Sequence, residues 1–214
     1  MIGILGGTFN PIHFGHLRPA LEITEALQMR QMRLIPSAIP PHREEPEVAA
    51  PLRMQMVQAA VASEPRFVVD DRELRRNGPS YTVDTLSSLR SEVGDEAIGL
   101  LIGMDAFLDL HTWHQWERLI DLAHIIVMQR PSKYSQEQYR QKMDPKVRAL
   151  VDGHTASQWR QLHETPSGKM WFQGVTQLDI SATAIRDTIK AGHSVRFLTP
   201  ESVVKIIENH QLYR

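Results

Sequence analysis

Short apolar runs alternate with longer amphipathic segments along this chain. Met1-Ile2-Gly3-Ile4-Leu5, Met32-Arg33-Leu34-Ile35-Pro36, Phe67-Val68-Val69, Ala97 to Gly103 and His124 to Met128 have strand length, and glycine, proline or polar residues follow them. Between them the spacing predicts helices. Leu17, Leu21, Ile23 and Leu27 mark one that runs to about Met29, and Leu52, Met56, Val57 and Ala60 mark a second, started by Pro51 and running to about Ser63. Val83, Leu86 and Leu89 mark a third, and Phe107 and Leu108 begin another. The run from Ala97 is the most apolar and reads as the centre of a parallel sheet. Strands alternating with helices of this length imply βαβ crossovers, hence an α/β fold: a Rossmann-like, doubly wound parallel sheet with helices on both faces.

From Ser132 to about Lys169 the rhythm changes to charged, glutamine-rich sequence with weak helical spacing at Val147, Leu150, Val151 and Trp159. We read residues 1–214 as a single domain with a helical insertion at about 132–169. The insertion is open to two uses, a contact in a homo-oligomer or a solvated face. Met170-Trp171-Phe172 and Val175 through Ile180 are the last extended segments. A C-terminal helical segment at about 181–214 follows, with Ser181 capping one helix through Ile189 and Pro200 starting another from Glu201 to about Asn209.

Composition narrows the classes of function. The 214 residues carry 24 basic and 25 acidic side chains, a formal net charge of −1, so nothing suggests general attraction to nucleic acid or membrane. There is no cysteine, which removes disulfides and thiolate zinc sites and fits a reducing compartment. No apolar run approaches the ~20 residues of a membrane span, and Met1 leads directly into the first strand without a signal peptide. A cytoplasmic protein is expected.

The chemistry concentrates where the first strand stops. Gly6 and Gly7 reverse the chain, Thr8, Phe9, Asn10 and Pro11 follow, and His13 and His16 flank Phe14-Gly15 as a helix begins. A strand, a glycine turn and a helix N-terminus bring backbone N–H groups and a positive dipole end to the carboxyl edge of a sheet, where a phosphate is favoured. Imidazoles add hydrogen-bond donors, and protonation adds charge beside a polyphosphate. Other segments reach the same edge. The loop from Ser37 to Val48, with Pro40-Pro41-His42-Arg43, reads either as solvated surface or as substrate-facing. Asp70 and Asp71 read as a solvated strand end or as metal ligands, and Asp105 as a helix cap or as an acceptor for ribose hydroxyls.

The string GGTFNPIHFGH resembles the amino-terminal signature of the nucleotidyltransferase superfamily, and in particular the bacterial nicotinate mononucleotide adenylyltransferases. ISATAIR, from Ile180 to Arg186, resembles the second signature, with Ala182 in place of a usual serine. Ser80-Tyr81-Thr82, Gly103-Met104-Asp105 and Thr112-Trp113 lie between the two in the family's order, and Asn10 stands where the family usually has Asp. The resemblance implies His13 and His16 as the catalytic pair. It implies ATP contacts at Gly6, Gly7, Thr8, Phe9, His13, His16, Gly103, Asp105, Arg130, Ser181, Thr183 and Arg186. The nicotinate mononucleotide would meet Thr8, Asn10, Arg43, Tyr81, Thr82, Trp113 and His114, with Trp113 as the stacking surface; Trp116 is assigned to packing. The implied reaction is adenylyl transfer from ATP to nicotinate mononucleotide in NAD biosynthesis. Mg²⁺ would arrive with the nucleotide, since no protein cage for a metal is visible. Nicotinamide mononucleotide, phosphopantetheine or a phosphocholine-like acceptor, and a non-catalytic nucleotide sensor, are the alternatives. A tRNA-aminoacylating enzyme lacks the length, a lysine-rich second motif and a basic surface here.

Overall fold

The computed structural model describes residues 1–40, 46–129, 136–176 and 178–214. In chain order the elements begin with β1 (Ile2–Gly7), α1 (Phe14–Ala26), β2 (Gln31–Pro36), α2 (Ala50–Val61), β3 (Phe67–Val69), α3 (Thr82–Val93) and β4 (Ile98–Gly103). They continue with α4 (Met104–Leu108), α5 (Leu119–Leu122), β5 (His124–Gln129), α6 (Gln136–Lys142), α7 (Pro145–His154), β6 (Met170–Gly174), α8 (Ala182–Lys190) and α9 (Glu201–Asn209). The strands form one parallel sheet in the order β3-β2-β1-β4-β5-β6. The winding reverses between β1 and β4, so a crevice lies beyond their carboxyl ends. The expected doubly wound α/β sheet is thus the fold.

Register opens that crevice. β1 pairs with β2 from Ile2↔Gln31 through Gly7↔Pro36, whereas its pairing with β4 runs from Ile2↔Ile98 to Ile4↔Leu100. Beyond that point β1 stays with β2 and parts from β4.

The central strands β1, β4 and β5 are apolar on both faces because helices cover both. Ile4, Leu100, Ile102, Ile125 and Val127 pack with Val83, Leu86, Leu89, Phe107 and Leu119 from α3, α4 and α5. Leu34, Leu101 and Ile126 point the other way, to Ile23 of α1, Met56 and Val57 of α2, and Val203 and Ile207 of α9. Each aliphatic side chain removed from water in this way contributes about 2 kcal/mol. The segment between β5 and β6 joins both cores, Met143 and Val147 on one side and Leu162 on the other. Its two histidines are tied to backbone: His154 Nδ1 lies 2.9 Å from the Gly168 carbonyl, and His163 Nε2 lies 2.9 Å from that of Leu27. No helix among the described residues is long and apolar enough to cross a membrane.

Four boundaries differ from the sequence reading. Gly6 and Gly7, expected to reverse the chain, are the last residues of β1 and pair with Ile35 and Pro36, and the helix expected to begin at Phe107 and Leu108 is α4, which ends at Leu108. The helix expected to reach Met29 stops at Ala26, because Gln28 adopts a left-handed φ of 49° and the Met29 N–H turns back to the Thr24 carbonyl at 2.9 Å. The expected extended segment from Val175 to Ile180 is not a strand. After Gly174 the Val175 N–H still reaches the Gln129 carbonyl (3.1 Å), but the Thr176 N–H bonds the Glu22 carboxylate of α1 (2.7 Å) and draws the chain off the sheet edge.

Candidate active site

The turn from Thr8 to His13, between β1 and α1, is held from behind by side chains and backbone distant in sequence. The Thr8 carbonyl accepts from Arg53 Nη1 (2.6 Å), the Asn10 carbonyl from Arg186 Nη1 (2.9 Å) and the Ile12 carbonyl from the Thr199 hydroxyl (2.7 Å). The Phe14 N–H donates to the Leu198 carbonyl at 3.1 Å. Asn10, itself buried, accepts at Oδ1 from the Tyr213 hydroxyl (2.7 Å), whose phenol burial pushes above its ordinary value. Asn10 therefore ties the turn to the C-terminal residues, whatever charge an Asp would have brought. Phe9, at a left-handed φ of 48°, sends its ring under Gly7, where a Cβ would lie 3.0 Å from Phe9 Cε1.

His13 and His16 stack, with ring centroids 3.8 Å apart and planes inclined by 29°, and Phe9 meets His16 edge-on at 5.2 Å. His13 is the N-cap residue of α1, its carbonyl accepting from the N–H groups of His16 and Leu17. Burial pushes its pKa down to about 4, so the imidazole is neutral at physiological pH in the free protein. Its Nδ1 is buried with no hydrogen-bond partner among the described residues. The first turn of α1 carries no acidic residue, which leaves its positive dipole end uncompensated.

The second signature comes to this turn. A Cβ on Gly15 would lie 2.9 Å from the Ile180 carbonyl oxygen and 2.9 Å from His13 Nδ1, so glycine lets the segment entering α8 abut the start of α1. Ser181 is the N-cap of α8 and accepts from the Ala184 N–H (3.1 Å), as its position before the helix predicted. Thr183 is exposed, and its hydroxyl accepts from Arg186 Nη2 at 3.3 Å. The Arg186–Asn10 bond spans 176 residues of sequence. Two helix N-termini, two histidines and Arg186 thus converge on one crevice: a site for a polyphosphate.

The flanking segments sit along the same edge. Gly103 ends β4 and is the N-cap residue of α4; Asp105 lies exposed in the first turn and makes no capping bond, so the helix-cap alternative for it does not hold. Ser80 does not cap α3. Its hydroxyl accepts from the N–H groups of Ala38 (3.0 Å) and Ile39 (3.3 Å), while its own N–H donates to the Ile39 carbonyl (2.9 Å). This clasp ties the loop after β2 to Tyr81 and Thr82 at the start of α3. The Tyr81 and His114 rings lie 4.3 Å apart, and Trp113, half-buried, packs on the same core as Tyr81. Trp116 is buried in that core, in keeping with its assignment to packing. Behind the clasp, Glu73 accepts from the Thr85 hydroxyl (2.6 Å), and burial raises its carboxyl pKa against the opposing pull of Thr85, Ser80 and Arg76.

Asp70 is not set up as a metal ligand. It binds Arg33 (3.1 Å) and Arg72 (2.7 Å), and Asp71 binds Arg75. Arg43 and Arg130 lie outside the described residues. Arg53 escaped the sequence reading although its spacing offered a signal: with Met56, Val57 and Val61 it occupies the buried face of α2.

The chain is similar to known proteins over its full length. The family model described as Cytidylyltransferase-like matches residues 4–188, from within β1 into α8. A Pseudomonas fluorescens protein named "Probable nicotinate-nucleotide adenylyltransferase" is 47% identical over 214 residues, covering 100% of this chain and 97% of its own length. One of the same name from Methylococcus capsulatus is 44% identical, covering 100% of this chain and 99% of its own. Among solved structures, Plasmodium falciparum nicotinic acid mononucleotide adenylyltransferase complexed with NaAD has a TM-score of 0.73 at 15% identity, covering 99% of this chain and 96% of that one. At that identity the likeness is one of fold.

Proposed function

The chain belongs to the cytidylyltransferase-like family, and we propose that its crevice joins the adenylyl group of ATP to nicotinate mononucleotide, giving nicotinate adenine dinucleotide and pyrophosphate for NAD biosynthesis in the cytoplasm. The observation that carries this reading is the meeting of α8 with the turn before α1 through Arg186 and Asn10, beside the stacked histidines. A site that gathers donors from two helix N-termini suits the transfer of a phosphoryl-linked group. The full-length relatives named for this reaction support the choice of acceptor.

In this reading an oxygen of the mononucleotide phosphate attacks the α-phosphorus of ATP in line. The bond from that phosphorus to the oxygen bridging it to the β-phosphorus breaks, and pyrophosphate leaves with the electron pair. A phosphate monoester is already nucleophilic at neutral pH, so no general base and no covalent intermediate are needed. Position and charge stabilisation are the protein's share. His13 and His16 donate hydrogen bonds to ATP phosphate oxygens as charge builds on them, and a polyphosphate arriving beside His13 raises the pKa that burial has lowered. Arg186 and Thr183 hold the pyrophosphate end, and Ser181 faces it from the start of α8.

The donor set fits phosphate better than metal, being built of imidazole, guanidinium and backbone N–H. Mg²⁺, which prefers oxygen ligands and retained waters, would be carried by the phosphates of ATP, where it would supply neutralisation of their charge. Tyr81, Thr82, Trp113 and His114 form the face for the pyridine ring and its carboxylate, the aromatic rings offering stacking surface.

The test is pyrophosphate release with MgATP and nicotinate mononucleotide, its amide or phosphopantetheine as acceptor, with the product weighed by mass spectrometry. Preference for the nicotinate form is expected. ATP binding without pyrophosphate release from any acceptor would replace this reading with that of a nucleotide sensor.

A further inference from the structure

Arg53 is almost completely buried, at 1% exposure, midway along the first half of α2. Its partners among the described residues are backbone carbonyls from separate loops at the carboxyl edge of the sheet. Nε donates to Val48 (2.9 Å), Nη1 to Thr8 (2.6 Å), and Nη2 to Ser37 (2.7 Å) and Ala38 (3.2 Å). One planar fork therefore fixes the turn after β1 and both stems of the loop after β2. Lysine, with one ammonium and no plane, cannot reproduce this geometry.

The bond to Thr8 has a further effect. In a trans peptide the C=O and the following N–H point in opposite directions. Holding the Thr8 carbonyl toward α2 turns the Phe9 N–H to the side away from α2, at a residue whose φ of 48° is costly for a side chain larger than glycine. Something must hold that strained peptide in place, and Arg53 supplies a charge-assisted bond to it.

We propose that Arg53 is a positioning residue for the phosphate of the acceptor mononucleotide, acting through the Thr8–Phe9 peptide and the stems of the loop after β2 without touching the substrate. The proposal rests on the adenylyl-transfer reading, and its test separates the two. Steady-state kinetics of the full chain are compared for wild type, Arg53→Lys and Arg53→Gln, beside thermal melting of each. The KM for nicotinate mononucleotide, which meets both the Thr8 turn and the loop after β2, should rise about tenfold in both variants, and by clearly more than that for MgATP, which shares only the turn. Arg53→Lys keeps the buried cation and is the variant expected to fold if Arg53→Gln does not.

A fall in kcat that tracks lost folded protein, with both KM values unmoved, would overturn the proposal, because a purely structural residue behaves in that way. Full recovery of KM in Arg53→Lys would overturn it too, since charge without the fork would then suffice. If wild type releases no pyrophosphate, the adenylyl-transfer reading fails, and binding of inorganic phosphate, read as a rise in melting temperature, decides the positioning role. Stabilisation of wild type at least twice that of Arg53→Lys supports the role; equal or absent stabilisation overturns it.

Discussion

His13 and His124 stand at opposite edges of the same sheet and are treated alike by burial, which lowers the pKa of both. They differ in their hydrogen bonds. His124, the first residue of β5, is satisfied at each nitrogen: Nε2 lies 2.9 Å from the Thr165 carbonyl, and Nδ1 accepts from the Lys169 N–H at 3.0 Å. His13, beyond the carboxyl end of β1, leaves Nδ1 buried without such a partner. The arginines divide in the same way. Arg90 gathers the carbonyls of Gly94, Glu96, Leu122 and Pro166 below the strands, whereas Arg53 gathers those of Thr8, Ser37, Ala38 and Val48 above them. One edge completes its own bonding and closes the fold. The other uses the same device to hold a turn whose capacity for hydrogen bonding is partly unspent.

If that division is real, changes at the two edges should separate activity from stability. The largest effect is expected from His16→Ala, which should lower kcat by about a thousandfold while leaving the urea midpoint within error of wild type; near-normal turnover would return His16 to a packing role. Next comes acid. His13 has a folded pKa of about 4 against 6.5 for the unfolded chain, so between those values the unfolded state binds more protons. The stability this group contributes is complete above pH 6.5 and is lost as pH falls through 4, an amount of about 3 kcal/mol. Urea unfolding across that window should be less steep in pH for His13→Asn than for wild type. The remaining slope, to which His124 contributes with the same sign, belongs to other groups.

Gly15→Ala should follow, at about a hundredfold in kcat/KM, because its methyl would press on the Ile180 carbonyl and His13 and force the starts of α1 and α8 apart. The smallest effect, and the control for the others, is Arg90→Gln. Unfolding free energy should drop by about 2 kcal/mol as four carbonyls lose their shared donor, with both KM values unchanged. A raised KM there would erase the distinction between the edges.

The hydrophobic rhythm was enough to show five of the six strands, because the central ones β1, β4 and β5 are buried along most of their length and read as apolar runs, but between β4 and β5 it missed that α4 ends at Leu108 and that α5 follows. The sixth was placed at Met170 but extended too far. What removes Val175 and Thr176 from the sheet is a carboxylate on α1, which no local pattern records. At the site, the capping Ser181 was visible because its role arises within a few residues of itself, whereas the two histidines were singled out by the family resemblance and the need for glycine at position 15 is set by the distant Ile180 carbonyl. Arg53 was not visible. A lone arginine in a helix is ordinarily a solvated charge, and its work here depends on carbonyls brought together by two separate loops, after β1 and after β2. Only its place on the same helical face as Met56, Val57 and Val61 hinted at burial.

The parting of β1 from β4 after Ile4 and Leu100 has one more consequence. The opening is written in main-chain hydrogen bonding and depends on no particular side chain at its rim. An effort to retarget the enzyme to another phosphorylated acceptor should therefore leave the strands alone. On the proposed reading its working positions would be the stems of the loop after β2, the Ser80–Thr82 clasp and the Trp113–His114 pair, to be exchanged as a set with the opening left beneath them.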